Sequence, residues 1–362
     1  MIARAALRIA AFFYGLGARF HRAFMRWRAP GRGRLSCAVV SVGGLSVGGA
    51  GKTPLAARIA SDLHQRGWRV VLASRGYKGR AKEAVTVVSD GAYIHSKVAL
   101  SGDEAFVLTA HAPGVPVLVG RDRRIVGHHA VSAFDAQILV LDDAFQHHRL
   151  ARDLDIVCID GVQGLGSGAL LPAGPLREPV STLREADWIC VIDGDPPGAS
   201  SGSRRDAPIE ALAADYGLPI MRGRRHPSAL LRLDGSQERP VESLAGRSIG
   251  LLAGVARPGS VRRTLEALGA RVDAERCFPD HHAYTQADLH GLDPAVDFWV
   301  TTEKDALKIQ PAWLEGVALW VLRIELELEE AERVLEAMEA QLVGAGRLPA
   351  RPSSTCFPDV AR

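Results

Sequence analysis

The 362-residue chain is expected to adopt an α/β fold: a mostly parallel sheet with helices on both faces, plus a smaller second α/β lobe joined to it by a β-ribbon. Two observations predict this. Short apolar runs alternate with segments whose apolar residues recur at helical spacing. The stretch "SVGGAGKTP" (residues 46–54) lies between the first apolar run and the first such helix. Strand, glycine-rich loop, helix and strand in succession open a sheet of the phosphate-loop NTPase type.

The elements follow in order. "SCAVVSVGG" is a short β-rich run, and "TPLAARIASDLHQRG" places Leu55, Ile59 and Leu63 on one helix face and stops at Gly67. "WRVVLASRGY" is a second buried strand running into a loop. The pattern then predicts helices over 102–110 and 121–132, and strands over 115–119, 136–141, 154–160 and 188–192. Residues 193–205, "DGDPPGASSGSRR", read as a surface loop, followed by a helix over 209–216. "LPIMRGRRHPSALLRLDGSQERPV" holds two extended runs with turn signals between them, which is the expected ribbon.

A second α/β pattern begins at Ser248. "SIGLLAGVARPGSVRRTLEALGARV" is strand, Gly/Pro loop, helix and strand; "DFWVTTEKDALKI" is a strand ending in a charged loop. "VALWVLRIELEL" is another strand, and residues 329–342 form a final amphipathic helix. The chain thus divides into a basic arm (1–34), a phosphate-loop domain (35–216), the ribbon (217–245), a smaller α/β domain (246–345) and a loosely held tail (346–362).

Charge is unevenly placed. The net charge of +3 argues neither for nor against nucleic acid, but no acidic residue precedes Asp62. Before it stand Arg4, Arg8, Arg19, Arg22, Arg26, Arg28, Arg32 and Arg34, interleaved with Phe12, Phe13, Tyr14, Phe20, Phe24 and Trp27. A basic, aromatic, helix-compatible segment suits an anionic membrane surface, and its uninterrupted apolar run, residues 9–18, is too short to span a bilayer. A helix packed on the protein body and a signal peptide are the rival readings. A signal peptide conflicts with an ATP site, which has no use outside the cytosol. The five scattered cysteines form no CxxC pair, so they read as reduced thiols and not as a zinc site.

A phosphate loop turns backbone N–H groups inward around an anion, at the positive end of a helix. Gly48, Gly49 and Gly51 permit that path, Lys52 would reach the β- and γ-phosphates, and Thr53 would bind the metal. Ser46 replaces the usual first glycine, which is tolerable if the turn is made at Gly48 and Gly49. Pro54 falls in the first helical turn, where a missing N–H breaks no intrahelical bond. Such a loop calls for an acidic residue at a strand end to hold Mg²⁺, and "QILVLDD" supplies Asp142 and Asp143.

Other segments are open to two readings. In "SGDEAFVL", Asp103 and Glu104 either favour a helix dipole or supply a general base and a metal-shell ligand. The Asp280, His281 and His282 run of "FPDHHAYT" is either a proton-transfer site or ordinary surface. "LLPAGPLREP" surrounds Arg177 with rigid prolines, as suits a grip on an anion, or is a structural loop. "SRGYKGR" and "GRDRR" follow strands at the end where α/β ligands bind.

Together these segments resemble the tetraacyldisaccharide 4′-kinase family, the lipid A 4′-kinases of Gram-negative bacteria. "SVGGAGKTP", "SRGYKG", "GDEAF", "VGRDRR", "LDDAFQHHRLARDLDIV", "LLPAGPLREP", "FPDHHAYT" and "TTEKDALK" occur in the family's order over about residues 40–308. The resemblance implies transfer of the γ-phosphate of ATP, with Mg²⁺, to the 4′-hydroxyl of a lipid-linked glucosamine disaccharide. It places the phosphate-loop roles on Lys52 and Thr53, the catalytic aspartate on Asp103 with His281 as its partner, and the acidic residues near Mg²⁺ on Glu104, Asp142 and Asp143. Arg75, Tyr77, Arg121, Gln146 and Arg177 match positions for substrate or phosphate contact. Gly44 stands where many members have Asn, and "DDAF" replaces the commoner "DDGL". The implied location is the cytoplasmic face of the bacterial inner membrane, peripheral and held through residues 1–30, with no nucleic acid and no obligate protein partner. The rival function, a phosphate-loop NTPase acting as a switch or metal-delivery chaperone, would need metal-ligand Cys or His pairs that the chain lacks.

Overall fold

Buried backbone must pair its N–H and C=O groups, and the apolar runs do so in a single sheet. The computed structural model describes residues 2–27, 33–194, 207–293 and 295–350. Among these, a 13-stranded sheet runs in spatial order β11 (Arg271–Cys277), β10 (Ser248–Ala253), β12 (Phe298–Thr302), β13 (Leu319–Leu328), β8 (Ile220–Arg232), β7 (Trp188–Ile192), β6 (Leu154–Asp160), β1 (Ala38–Gly44), β5 (Ile138–Asp142), β2 (Val70–Ser74), β4 (Val117–Val119) and β3 (Thr86–Ser89). The two-residue β9 (Glu238–Arg239) pairs with β8. The helices are α1 (Ile2–Trp27), α2 (Lys52–Gln65), α3 (Val98–Ser101), α4 (Asp103–His111), α5 (Arg123–Phe134), α6 (Ala207–Tyr216), α7 (Pro258–Ala267), α8 (Gln286–Leu289), α9 (Glu303–Ala306) and α10 (Ala331–Gly344).

Strand β1 is buried along its whole length, as a parallel strand covered on both faces must be. Its residues alternate between two cores: Val40 and Val42 pack with Leu55, Ile59 and Leu63 of α2, while Val39 packs with Val126 and Ala130 of α5. Parallel register sets Val42 beside Asp142 and Gly44 beside Cys158. The carboxyl ends of β1, β5 and β6 therefore form one edge, where open α/β sheets bind ligands.

The expected ribbon is β8 with β9, and β8 is paired on both sides. Its first residues run parallel to β7, with Gly223 beside Ile192. Beyond Gly223 it runs antiparallel to β13, from Gly223 opposite Leu328 to Arg232 opposite Trp320. Pro227, which has no N–H to donate, sits at an irregularity in this ladder. Because β10, β11 and β12 are parallel to β13, the antiparallel step reverses the direction of the whole second half. Thr302, at the end of β12, lies level with Leu322 and so with Leu230 of β8. From Gly223 to Leu230 the strand rises roughly 20 Å. The carboxyl edge of the second half thus faces the carboxyl edge of the first across a gap.

Two expectations are corrected. The charged loop after β12 is one helical turn, α9, because the Thr302 side chain accepts from the Asp305 N–H and caps it. The last helix was expected in the smaller domain, yet α10 packs on the first half. Val334, Leu335, Met338 and Leu342 share a core with α2, and the Trp68 indole donates to Glu339 at 2.7 Å. The reason is the reversed direction of β13, whose carboxyl end lies beside Gly223. The surface loop expected over 193–205 falls mostly on residues outside those described, as does the expected tail (346–362) from residue 351, but the start of that tail is held, with Arg347 2.7 Å from Asp153 and Leu348 buried.

The arm is a 26-residue helix that docks by one face only. Ala11 and Gly15 are buried; a Cβ on Gly15 would stand 2.6 Å from Leu170. Arg22 pairs with Glu185 at 2.7 Å and Glu178 at 3.5 Å. Ile9, Phe12, Phe13, Leu16 and Phe20 form an exposed apolar stripe. No helix among the described residues is long and apolar enough to cross a membrane.

Candidate active site

The loop between β1 and α2 turns at Gly48 (φ 112°) and Gly51 (φ 81°), in the left-handed region that glycine tolerates. Ser46 needs no such freedom. It forms an antiparallel bridge with Leu176, flanked by Val47 N–H donating to Pro175 and Arg177 N–H donating to Leu45. The proline-rich segment therefore props the phosphate loop from outside. Pro54 lies in the first turn of α2, and the Leu55 N–H closes the first helical bond to Gly51 at 3.1 Å.

Lys52 and Thr53 point at the end of β5. The Thr53 hydroxyl donates to Asp142 Oδ2 at 2.9 Å, and Lys52 Nζ lies 2.8 Å from Asp143 Oδ1. Asp142 is fully buried, and burial, reinforced by the charges of Glu104 and Asp143, pushes its pKa up to about 7 against the pull of Thr53 and Lys52. Burial would raise Asp143 too, but Lys52 and Arg177 outweigh it and hold its carboxyl below the usual range. Arg177 reaches both Asp143 oxygens, at 2.9 and 3.2 Å.

Asp142 Oδ1 is buried and has no hydrogen-bond partner among the described residues. A buried carboxylate oxygen without a partner, next to a hydroxyl and two further carboxylates, fits Mg²⁺. No cluster of three or more His, Cys, Asp or Glu side chains tight enough to cage a metal occurs among the described residues.

Asp103 opens α4 behind Gly102 (φ 84°), where a Cβ would stand 2.4 Å from the Tyr77 carbonyl oxygen. "SRGYKG" is therefore packed directly on the turn that presents Asp103. The Asp103 side chain is buried, and its Oδ1 accepts the Glu104 N–H at 3.0 Å. Its Oδ2 meets His281 Nδ1, from the opposite half, at 3.0 Å. His281 is itself in a left-handed conformation (φ 63°), with its N–H donated to Gly254 and the Tyr77 ring edge-on at 5.8 Å. The neighbouring histidine has a different place. His282 stacks on Phe278 at 4.3 Å and meets Asp288 at 3.1 Å, inside its own half.

The chain matches the family model described as "Tetraacyldisaccharide-1-P 4'-kinase" over residues 3–343. The tetraacyldisaccharide 4′-kinase of Syntrophus aciditrophicus is 38% identical over 89% of this chain and 88% of its own length. That of Anaeromyxobacter dehalogenans is 45% identical over 84% of this chain and 81% of its own. The crystal structure of LpxK from Aquifex aeolicus in complex with ATP superposes with a TM-score of 0.75, at 28% identity over 94% of this chain and 99% of that one. The chain belongs to the tetraacyldisaccharide 4′-kinase family.

The residues that depart from the family pattern fit locally. A Cβ on Gly44 would lie 3.3 Å from the Lys52 side chain, and the Gly44 carbonyl accepts from Gln146 Nε2 at 2.8 Å. Ala144 and Phe145 are fully buried, Phe145 against Gly43, and leave Asp142, Asp143 and Gln146 at the edge. Among the other sequence candidates, Gly49 is open around its Cα, and Tyr77, Arg75 and Arg121 are exposed at strand ends.

Sequence reasoning overlooked four groups in this member of the 4′-kinase family. Of "GRDRR" the buried arginine is Arg123: burial pushes its pKa down to about 10, opposed first by the charge of Asp142. Arg225 of β8 donates to the Gly49 carbonyl at 3.0 Å and pairs with Asp193. Arg257 of the second half lies near Gly48 and donates to Gln163. The fourth group is the "TTEKDALK" segment, a family match to which no role had been given. The arginine-rich run "RGRRHP" was a signal available for Arg225; the others gain meaning only from the facing edges.

Proposed function

We propose that this kinase transfers the γ-phosphate of ATP to the 4′-hydroxyl of tetraacyldisaccharide 1-phosphate, a step of lipid A assembly. One observation carries the reading. A buried carboxylate, Asp103, is joined to His281 across the two facing edges, beside a phosphate loop whose Thr53 bonds Asp142 at the end of β5, where the charge of Glu104 is felt.

Phosphoryl transfer asks a protein for alignment and charge neutralisation more than for covalent chemistry. Lys52 and the amides around Gly48, Gly49 and Gly51 neutralise the β- and γ-phosphates. Thr53 and Asp142, flanked by Asp143 and Glu104, would hold Mg²⁺, which would supply positive charge to offset that of the phosphates. Asp103 takes the proton of the acceptor hydroxyl as its oxygen bonds to the γ-phosphorus and the bond to ADP breaks. His281 Nδ1 holds the accepting carboxylate in place. Arg177 and Gln146 anchor the strand-end turn, and Arg75, Tyr77 and Arg121 are the open contacts for substrate. The first half of the sheet, residues 35–216 with α10 packed on it, and the second half, residues 246–328, act as two lobes whose approach assembles these groups. Incubation with γ-labelled ATP, Mg²⁺ and the disaccharide lipid should place label in the lipid. ATP binding without labelled lipid would overturn the reading.

The lipid acceptor places the enzyme at a membrane, and we assign it peripherally to the cytoplasmic face of the bacterial inner membrane. Support comes from α1, whose stripe of Ile9, Phe12, Phe13, Leu16 and Phe20 is exposed while its opposite face is docked. Replacing both Phe12 and Phe20 with Ser should lower partitioning onto anionic liposomes by about tenfold or more, with ATP affinity unchanged. Equal partitioning of variant and wild type would remove the stripe from membrane binding.

A further inference from the structure

The one-turn helix α9 reaches across the gap to α4. His111 of α4 meets Glu303 at 2.8 Å, Lys304 lies 3.5 Å from Glu104, and Lys308 Nζ lies 3.8 Å from Asp103 Oδ2. Asp103 Oδ2 is thus faced by two groups of the second half, His281 Nδ1 and the Lys308 ammonium. Both are seated by one residue.

That residue is Asp305, whose side chain has no solvent exposure. Its Oδ2 accepts from the Thr302 hydroxyl at 2.8 Å and from the Gly254 N–H at 2.9 Å. Its Oδ1 receives Lys308 Nζ at 3.1 Å. Gly254 in turn accepts the His281 N–H, and a Cβ there would stand 2.9 Å from the Tyr284 hydroxyl, so this turn has no room to shift. Lys308 is boxed on its remaining side by the Tyr284 ring, 5.7 Å from Nζ to the centroid. A buried carboxylate needs a cation, and Lys308 meets that need. Its position beside Asp103 is a second property, which neutralising Asp305 does not require.

We propose that Lys308, seated by Asp305, is a positioning residue for the Asp103–His281 pair. It fixes the orientation of the Asp103 carboxylate only when α9 of the second half is docked on α4 of the first. The inference rests on the reading of Asp103 as the proton acceptor.

The test is steady-state lipid kinase kinetics of the full chain with ATP and Mg²⁺, comparing Lys308→Met, Lys308→Arg, His281→Ala, the His281→Ala/Lys308→Met double variant and Asp103→Asn. Lys308→Met should lower kcat about 30-fold with KM for ATP within about twofold, and Lys308→Arg should restore kcat to within about fivefold of wild type. In the His281→Ala background, Lys308→Met should cost no more than about threefold, because both groups act on one oxygen. Wild-type kcat in Lys308→Met, an undiminished loss in the His281→Ala background, or failure of Arg to restore would each overturn the proposal. A low kcat in Asp103→Asn alongside wild-type kcat in Lys308→Met would end this inference alone. Wild-type kcat in Asp103→Asn would end the proton-acceptor reading itself, and this inference with it.

Discussion

Replacing Asp103 with Asn should lower turnover about a thousandfold while leaving ATP affinity within about threefold of wild type. The substitution keeps size and shape, and an amide oxygen can still accept the Glu104 N–H that the carboxylate accepts at 3.0 Å. What it removes is a group able to take a proton at a buried position. The phosphate loop is untouched, since Lys52 and Thr53 contact Asp143 and Asp142 instead. His281→Ala should fall in the same direction by less, because it loosens the acceptor without removing it. Kinetics at saturating lipid, paired with equilibrium ATP binding, measure both effects. Loss of ATP affinity in step with turnover would mean that Asp103 serves nucleotide binding.

Asp142→Asn should separate activity from stability. Turnover should drop about a hundredfold or more, because Asp142 is the fully buried carboxylate at the proposed metal position. With EDTA present at pH 8, the variant should melt about 3–8 °C higher than wild type. The cause is the cost of holding an ionised carboxylate in that place. The pKa of Asp142 is about 7 in the folded chain, chiefly through burial, and one of its oxygens has no partner among the described residues. For a carboxyl whose pKa is raised on folding, stability is full below the unfolded value of about 4. It is lost as pH rises towards 7. The advantage of Asn should therefore be small near pH 4, grow to neutrality and level off above it, reaching at most about 4 kcal/mol. Saturating Mg²⁺ and ATP should narrow the gap by stabilising wild type. An unchanged or lower melting temperature across this range would show that Asp142 is well accommodated without metal.

The legible parts of this molecule are those encoded by neighbours in the chain. β1, the glycine loop and α2 could be placed because turn, dipole and lysine must be contiguous to hold a phosphate. "LVLDD" was readable because a buried strand ending in two carboxylates is a local pattern. Asp103 and His281 mark the limit. Either acidic residue of "GDE" could have served a helix dipole, and either histidine of "DHH" could have been surface. Residue pattern alone left them equal; the family resemblance singled out Asp103 and His281, and the contact across a 178-residue separation joins the two. Lys308 and Asp305 lay in the family-matching segment "TTEKDALK", but their role was unreadable for the same reason, since their partners lie on α4 and at Gly254. The placement of α10 was misread because helical periodicity reports a buried face without saying what buries it. That answer lay in the direction of β13, which is set by pairing between distant strands.

The shared strand β8 has a consequence for how this enzyme can vary. Its stretch from Gly223 to Leu230 spans the interval between the two carboxyl edges, so its length works as a ruler for the reaction. Each residue inserted or deleted there would shift one edge against the other by about 3.3 Å and turn every following side chain to the opposite face. A hydrogen bond such as that between His281 and Asp103 tolerates only a fraction of that shift. Loops at either rim can lengthen without moving the chemistry. The span of β8 cannot, because its residue count sets the distance between the two edges.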